Sequence, residues 1–220
     1  PSVAAVAPGI DAPTSALGEP LHDRELARRA YRAEYVVQDG QASRADTFCS
    51  TMGGAVRVEG DDCTRLETPA LPFVVGFDGG AGDTGQLVAG VRSLRDRYEF
   101  AADTVEAIGD IVRAGESLLA AADPDSDPSA ELIGEIGELM NINHGLLSAL
   151  SVSSRSLDTM VWAAREAGAD GAKLTGAGGG GCIVALDATD ETETSLQYTP
   201  DCEQAFRAKL ATEGVRVERS

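Results

Sequence analysis

Lys173-Leu-Thr-Gly-Ala-Gly-Gly-Gly-Gly-Cys-Ile-Val-Ala-Leu186 is the stretch on which the reading of this chain turns. Gly176, Gly178 and Gly181 formally match the Gly-x-Gly-x-x-Gly pattern of dinucleotide-binding loops. That pattern works only between a strand and a helix, because the pyrophosphate sits on the helix N-terminus. Here Cys182 to Leu186 follow the glycines as an apolar run that predicts a buried strand. The dinucleotide reading is therefore rejected. What remains is a loop of bare backbone, whose consecutive N–H groups can turn towards an anion, with the Thr175 hydroxyl beside them. The alternative is a tight turn whose glycines only let two elements pack closely. Five glycines in residues 176–181 lose much chain entropy on folding, which favours the anion loop.

Working outward, residues 155–167 predict a helix with Leu157, Met160, Val161, Ala164 and Ala167 inward and Gly168 closing it. Three earlier stretches have helical spacing: Leu87, Val91, Leu94 and Tyr98; Val105, Ile108, Val112 and Leu119; and Leu132, Ile136, Leu139, Met140, Asn143 and Leu147. Asp123-Pro124-Asp125-Ser126-Asp127-Pro128 separates the last two. Phe73 to Phe77 predicts a buried strand, and the two prolines in Thr68-Pro69-Ala70-Leu71-Pro72 mark a domain boundary near Pro69. Before it, residues 23–38 predict a helix with Leu26, Ala30, Ala33 and Val37 on one face. Residues 41–54 suit a loop leading into a short element, Val56 and Val58 alternate as in a strand, and Gly60-Asp61-Asp62 makes a turn. After the glycine loop, residues 202–212 predict a last helix, and Val215 and Val217 a last strand. No internal repeat is evident. Helices and strands mix without strict alternation, so the fold class is α+β.

Composition excludes several functions. A hydrophobic share of 43% rules out bulk disorder. Acidic residues outnumber basic ones 36 to 18, for a net charge of −18, and that field repels nucleic-acid phosphates. Lys173 and Lys209 are the only lysines. Many carboxylates and almost no lysine predict a surface that works in concentrated salt, where screening blunts self-repulsion. Cys49, Cys63, Cys182 and Cys202 make no Cys-x-x-Cys pair and His22 and His144 are the only histidines, so neither a zinc site nor a disulfide framework is expected. No run approaches 18 apolar residues, and no basic secretory start is present, so neither a membrane span nor export is expected.

Glu34 and Asp46 flank a polar segment. Two carboxylates brought together there can serve a cation and a substrate hydroxyl, the needs of phosphoryl transfer. Taken alone, they read more simply as a solvated pair of surface acids.

Together, these pieces resemble the GHMP small-molecule kinases, and the mevalonate kinases in particular. The stretch Lys173–Leu186 is similar to the third motif of that superfamily. Met140-Asn-Ile-Asn-His-Gly-Leu-Leu147 with Leu157-Asp158, Asp83-Thr84 with Leu87–Arg92, and Glu34 through Gly40-Gln-Ala-Ser43-Arg-Ala-Asp46 to Gly53-Gly54 look like mevalonate-kinase segments. The resemblance runs from about residue 2 to the end. It implies a GHMP kinase fold: a partial ribosomal-protein-S5-like N-terminal, ATP-binding domain over 1–68, then a ferredoxin-like C-terminal domain over 69–220. By the same resemblance, Asp46 acts as catalytic base or orienter on the substrate hydroxyl, Glu34 helps hold Mg²⁺, and Ser43 shapes the substrate pocket. Thr175, Gly176, Ala177, Gly178, Gly179, Gly180 and Gly181 close beside the phosphates and substrate, and the two regions meet in one cavity. The expected partners are ATP, Mg²⁺ and mevalonate, with a homodimer in a cytoplasm of haloarchaeal type.

Departures from the family pattern set a further expectation. The motif with the active-site lysine is absent. Pro1-Ser2-Val3-Ala4-Ala5-Val6 would be the only remnant of the glycine-serine phosphate loop, lacking its glycines, and Pro8-Gly9 would disturb the helix after it. This 220-residue chain is thus expected to be truncated and inactive alone. Homoserine, a galactose-type sugar or phosphomevalonate remain open as acceptors, as does a degenerate fragment serving as a binding or dimerisation module.

Overall fold

The structure, a computed structural model, describes residues 22–37, 44–60, 62–186, 189–210 and 214–215. Ser43 and the segment 1–21 lie outside them, as does Val217. The chain forms two compact units: Pro1–Thr68 with Leu210–Ser220, and Pro69–Lys209.

In the first unit, helix α1 spans Asp23–Val37, α2 spans Arg44–Met52, and strands β1 (Ala55–Glu59) and β2 (Asp62–Leu66) form an antiparallel hairpin. Gly60 adopts φ +57° at its turn, a conformation that suits glycine. Ala27, Phe48 and Cys63 form the local core, with Tyr31, Met52, Val56 and Val58 packed on it. Three expectations change here. The buried face of α1 is Leu26, Ala27, Ala30 and Glu34, while Ala33 is exposed and Val37 is 62% exposed. The buried face departs from the apolar stripe because its last turn is completed by a hydrogen-bonded acid, Glu34. Residues 44–52 are a helix, not a loop, since Thr47, Phe48 and Thr51 recur on one buried face. Val215 lies outside any strand, and its N–H donates to the Thr51 carbonyl at 3.0 Å.

The second unit is built on four antiparallel strands: β3 (Pro72–Phe77), β4 (Gly171–Leu174), β5 (Cys182–Leu186) and β6 (Gln204–Lys209), in the order β4-β5-β3-β6. Helices α3 (Thr84–Arg97), α4 (Glu99–Ala121), α5 (Ala130–Ala149) and α6 (Arg155–Glu166) lie between β3 and β4, and α7 (Glu191–Gln197) joins β5 to β6. This is a ferredoxin-like βαββαβ order with extra helices in its first crossover. The glycine loop joins the neighbouring strands β4 and β5, so a strand does follow it.

Three helices start where a side chain caps them. Asp83 accepts from Gln86 N–H, Ser129 from Leu132 N–H and Ser154 from Leu157 N–H. Leu157, Met160, Val161 and Ala164 of α6 are fully buried as the spacing predicts, against Val74, Ile183, Ala185 and Leu196. Gly168 follows α6 at φ +96°, the left-handed stop expected of it. Leu132, Ile133 and Ile136 of α5 cover Leu71 and Leu186 in a second cluster.

The α4 stripe departs from expectation: only Ala101 is buried, and Val112 is 57% exposed. The larger departure is at the C-terminal end. Residues 202–212 were expected to be helical, but 204–209 form β6, paired with β3 along its whole length from Pro72↔Lys209 to Phe77↔Gln204. The helix-forming residues Glu203, Gln204 and Ala208 are overridden by an open sheet edge whose pairing satisfies the backbone.

Candidate functional site

Strand β4 is a sheet edge, so among the described residues the backbone groups of Ala172 and Leu174 that face away from β5 have no partner strand. Side chains take all four. Asn141 Oδ1 accepts from Ala172 N–H at 3.0 Å, and Arg165 donates to the Ala172 carbonyl at 2.7 Å. His144 Nδ1 accepts from Leu174 N–H at 3.3 Å, and Lys173 Nζ donates to the Leu174 carbonyl at 2.7 Å. Asn141 Nδ2 also donates to the Asp170 carbonyl at 3.0 Å. The segment Met140–Leu147 thus earns its polar residues: Asn141 and His144 lie one turn apart on α5 and clamp the strand that leads into the glycine loop.

The loop itself has two halves. At Gly178 an added Cβ would sit 1.9 Å from the Val152 carbonyl oxygen, and at Gly82 it would sit 1.9 Å from the Gly178 oxygen. The Gly179 N–H donates to the Val152 carbonyl at 2.8 Å. These glycines permit close packing, as the alternative sequence reading held. Gly176 is different: at φ +77° nothing lies within 4 Å of its missing Cβ. Among the described residues, no protein acceptor is recorded for the N–H groups of Gly176, Ala177 and Gly180. The loop is therefore held at Gly178, Gly179 and Gly181, while the N–H groups of Gly176, Ala177 and Gly180 stay bare, donors of the kind that cradle an anion.

Asp78 ties this loop to β3. Its Oδ1 accepts from Gly181 N–H at 2.7 Å and from Gly80 N–H at 2.8 Å, and its Oδ2 accepts from Ser156 Oγ at 2.5 Å. Burial pushes its pKa up, but these three hydrogen bonds outweigh burial and hold the carboxyl below the ordinary carboxylate range. A depressed carboxylate adds stability that is present above its unfolded pKa and is lost as pH falls through its folded value. The Asp78→Asn variant is accordingly expected to lose about 1–2 kcal/mol at neutral pH and to show a shallower loss of stability below about pH 4. Urea midpoints measured across pH 3–7 check this. Sequence reasoning missed Asp78 because its partner Gly181 lies 103 residues away.

In the first unit, Glu34 and Asp46 differ sharply. Asp46 sits exposed in the first turn of α2. Glu34 is only 7% exposed, and its Oε2 accepts from Thr47 Oγ1 at 3.0 Å. It is not the solvated surface acid that the simpler reading expected. Among the described residues, no group of three or more His, Cys, Asp or Glu gathers into an all-protein metal cage. A buried carboxylate oriented by a hydroxyl still fits Mg²⁺, which takes one or two protein carboxylates and completes its shell with phosphate oxygens and water. The acids and the glycine loop belong to different units.

Comparison with known proteins follows the same lines. The family described as GHMP kinases C terminal matches residues 129–198, inside the second unit. The chain is 38% identical over 221 aligned positions to a mevalonate kinase of Thermococcus onnurineus, covering 99% of this chain and 64% of that protein. It is 39% identical over 219 positions to one of Pyrococcus horikoshii, with the same coverage. It thus spans less than two thirds of the length of these curated relatives. Among solved structures, the L. major mevalonate kinase in complex with R-mevalonate superposes with a TM-score of 0.73 at 25% identity, covering 96% of this chain and 67% of that one. The chain has the GHMP kinase fold, with the C-terminal domain of that family in its second unit.

Proposed function

We propose that this protein is a mevalonate kinase, transferring the γ-phosphoryl group of ATP to the hydroxyl of mevalonate to give 5-phosphomevalonate in isoprenoid biosynthesis. The observation that carries the reading is identity of 37–39% to six mevalonate kinases over 99% of the chain, with a glycine loop in which the N–H groups of Gly176, Ala177 and Gly180 have no protein acceptor among the described residues.

In this mechanism Asp46 orients the substrate hydroxyl and takes its proton as the oxygen attacks. The N–H groups of Gly176, Ala177 and Gly180 donate to phosphate oxygens, with the Thr175 hydroxyl beside them. Glu34 would hold Mg²⁺, whose charge, when bound, offsets that of the phosphates. Ser43 shapes the substrate pocket. The remaining loop residues, Gly178, Gly179 and Gly181, keep the loop in register through Val152 and Asp78. No helix among the described residues is long and apolar enough to cross a membrane; the reading places the enzyme in a cytoplasm of high salt, as a homodimer.

The test is ADP release by the full-length protein in molar KCl with mevalonate, homoserine, galactose and phosphomevalonate offered separately. Turnover is expected with mevalonate and to exceed that with each of the others at least about a hundredfold, since a pocket built to hydrogen-bond one substrate rejects analogues by that much or more. Preference for another alcohol would reassign the substrate, and no turnover with any of them would remove the kinase reading.

A further inference from the structure

His144 joins Asp158 of α6 to Leu174, at the end of the strand entering the glycine loop. Its Nδ1 accepts from Leu174 N–H, so that nitrogen carries no proton. Its Nε2 therefore carries the proton and donates to Asp158 Oδ1 at 3.1 Å. The same Asp158 oxygen accepts from Ser153 Oγ at 2.5 Å. The ring is buried at 5% exposure, whereas the Asp158 side chain is 42% exposed. A chain of bonds thus runs from Ser153 and Asp158 through the imidazole to Leu174, next to Thr175, where the loop begins.

We propose that His144 is a positioning residue for the glycine loop, and that its neutral Nε2–H tautomer, selected by Asp158, sets the strand end from which the phosphate-binding donors project. This rests on the reading of residues 175–181 as a phosphate loop. The charged groups facing the ring are Asp158 and Arg165 from α6 and Lys173 from β4. Burial lowers the pKa of His144, Asp158 raises it, and Arg165 and Lys173 lower it again, for a net shift below the ordinary histidine value. Neutral imidazole is therefore the form at neutral pH. Protonation on acidification puts a second N–H against Leu174 N–H, and the acceptor is lost. The depressed pKa gives the sign: the contact is complete above the unfolded value of about 6.5 and is lost as pH falls through the lower folded value.

Asparagine and leucine at this position separate hydrogen bonding from packing. In His144→Asn the side-chain oxygen takes the place of Nδ1 as acceptor but does not titrate. In His144→Leu the bulk remains and the acceptor does not. In the full-length protein, His144→Leu is expected to raise KM for ATP by roughly five- to a hundredfold, the range for one buried donor left without a partner, with kcat changed much less. His144→Asn is expected to restore most of that KM and to abolish its rise at acid pH. The second arm needs no activity. In ¹⁵N-labelled protein, the His144 ring, the Leu174 amide and the amides of Gly176–Gly181 are expected to titrate with one midpoint, and the loop amides to exchange faster below it. Ring titration without movement of Leu174 or the loop overturns the proposal. So does a His144→Asn variant indistinguishable from His144→Leu in KM and loop exchange. If the wild type phosphorylates no alcohol, the kinase reading fails, while the amide measurements still decide whether His144 sets the loop.

Discussion

Replacing Asp46 by asparagine in the full-length protein is expected to lower kcat with mevalonate by about a thousandfold while leaving the melting temperature almost unchanged. Positioned acid–base catalysis is worth roughly a hundred- to ten-thousandfold, and an amide of the same shape can still orient a hydroxyl but cannot take its proton. The fold is expected to survive because Asp46 lies exposed at the start of α2, away from the Ala27–Phe48–Cys63 core. Surface changes of this kind usually shift stability by no more than about 0.5 kcal/mol. The N-terminal turn of α2 also favours a carboxylate over an amide, which adds only a few tenths of a kcal/mol. Glu34→Gln provides the contrast. That side chain is buried against Thr47, so its substitution is expected to lower stability as well as activity. Turnover in Asp46→Asn within tenfold of wild type would remove Asp46 from the chemistry.

Most of the second unit was legible because its helices announce themselves locally. Leu157, Met160, Val161 and Ala164 fall three, one and three residues apart, and α3, α5 and α6 each start at an aspartate or serine, residue types that favour helix caps. Where the local signal is weak or false, the reading failed. Helix α2 is nine residues of mostly small polar side chains, and α7 is seven residues alternating Glu and Thr. Neither shows a long apolar period. Strand β6 carries helix-favouring letters and is a strand only because β3 has an unpaired edge, information that lies far upstream at Pro72–Phe77 and cannot be read from 204–209 alone.

The site was legible to a similar degree and for similar reasons. A run of glycines before an apolar strand is a local signal: Gly178 and Gly179 pack closely, as one of its two readings expects, whereas Gly176 stays open. Asp78 was illegible because its importance comes from what folding brings to it. Asn143 is a polar residue within the apolar spacing of α5, with Asn141 and His144 beside it. A polar residue on the buried side of an amphipathic helix requires a partner, and here a sheet edge supplies it for Asn141 and His144. That signal was present in the sequence. The partner was not.

The packing between α5 and β4 gives the largest expected effect on stability, and its sign differs along a single helix. A glycine inside a helix ordinarily costs about 1 kcal/mol relative to alanine, so replacing it by alanine should stabilise. Gly134→Ala and Gly145→Ala follow that rule, since nothing lies within 4 Å of either added Cβ, and each is expected to be neutral or to gain up to about 1 kcal/mol. Gly137→Ala reverses it. Its Cβ would lie 2.6 Å from both the carbonyl carbon and oxygen of Asp170, which are backbone atoms with no rotamer to yield. The approach is mutual, because a Cβ on Gly171 would come within 2.4 Å of the Gly137 oxygen. Relief requires α5 and β4 to move apart, which also stretches the bonds from Asn141 to Ala172 and from His144 to Leu174. Overpacking alone costs about 1–3 kcal/mol, and the two weakened hydrogen bonds bring the expected loss for Gly137→Ala to about 3–4 kcal/mol. Denaturant midpoints of the three alanine variants, measured in the same salt, read out the contrast. A Gly137→Ala protein as stable as Gly134→Ala would mean that the strand is not held against the helix, and the clamp on the glycine loop would go with it.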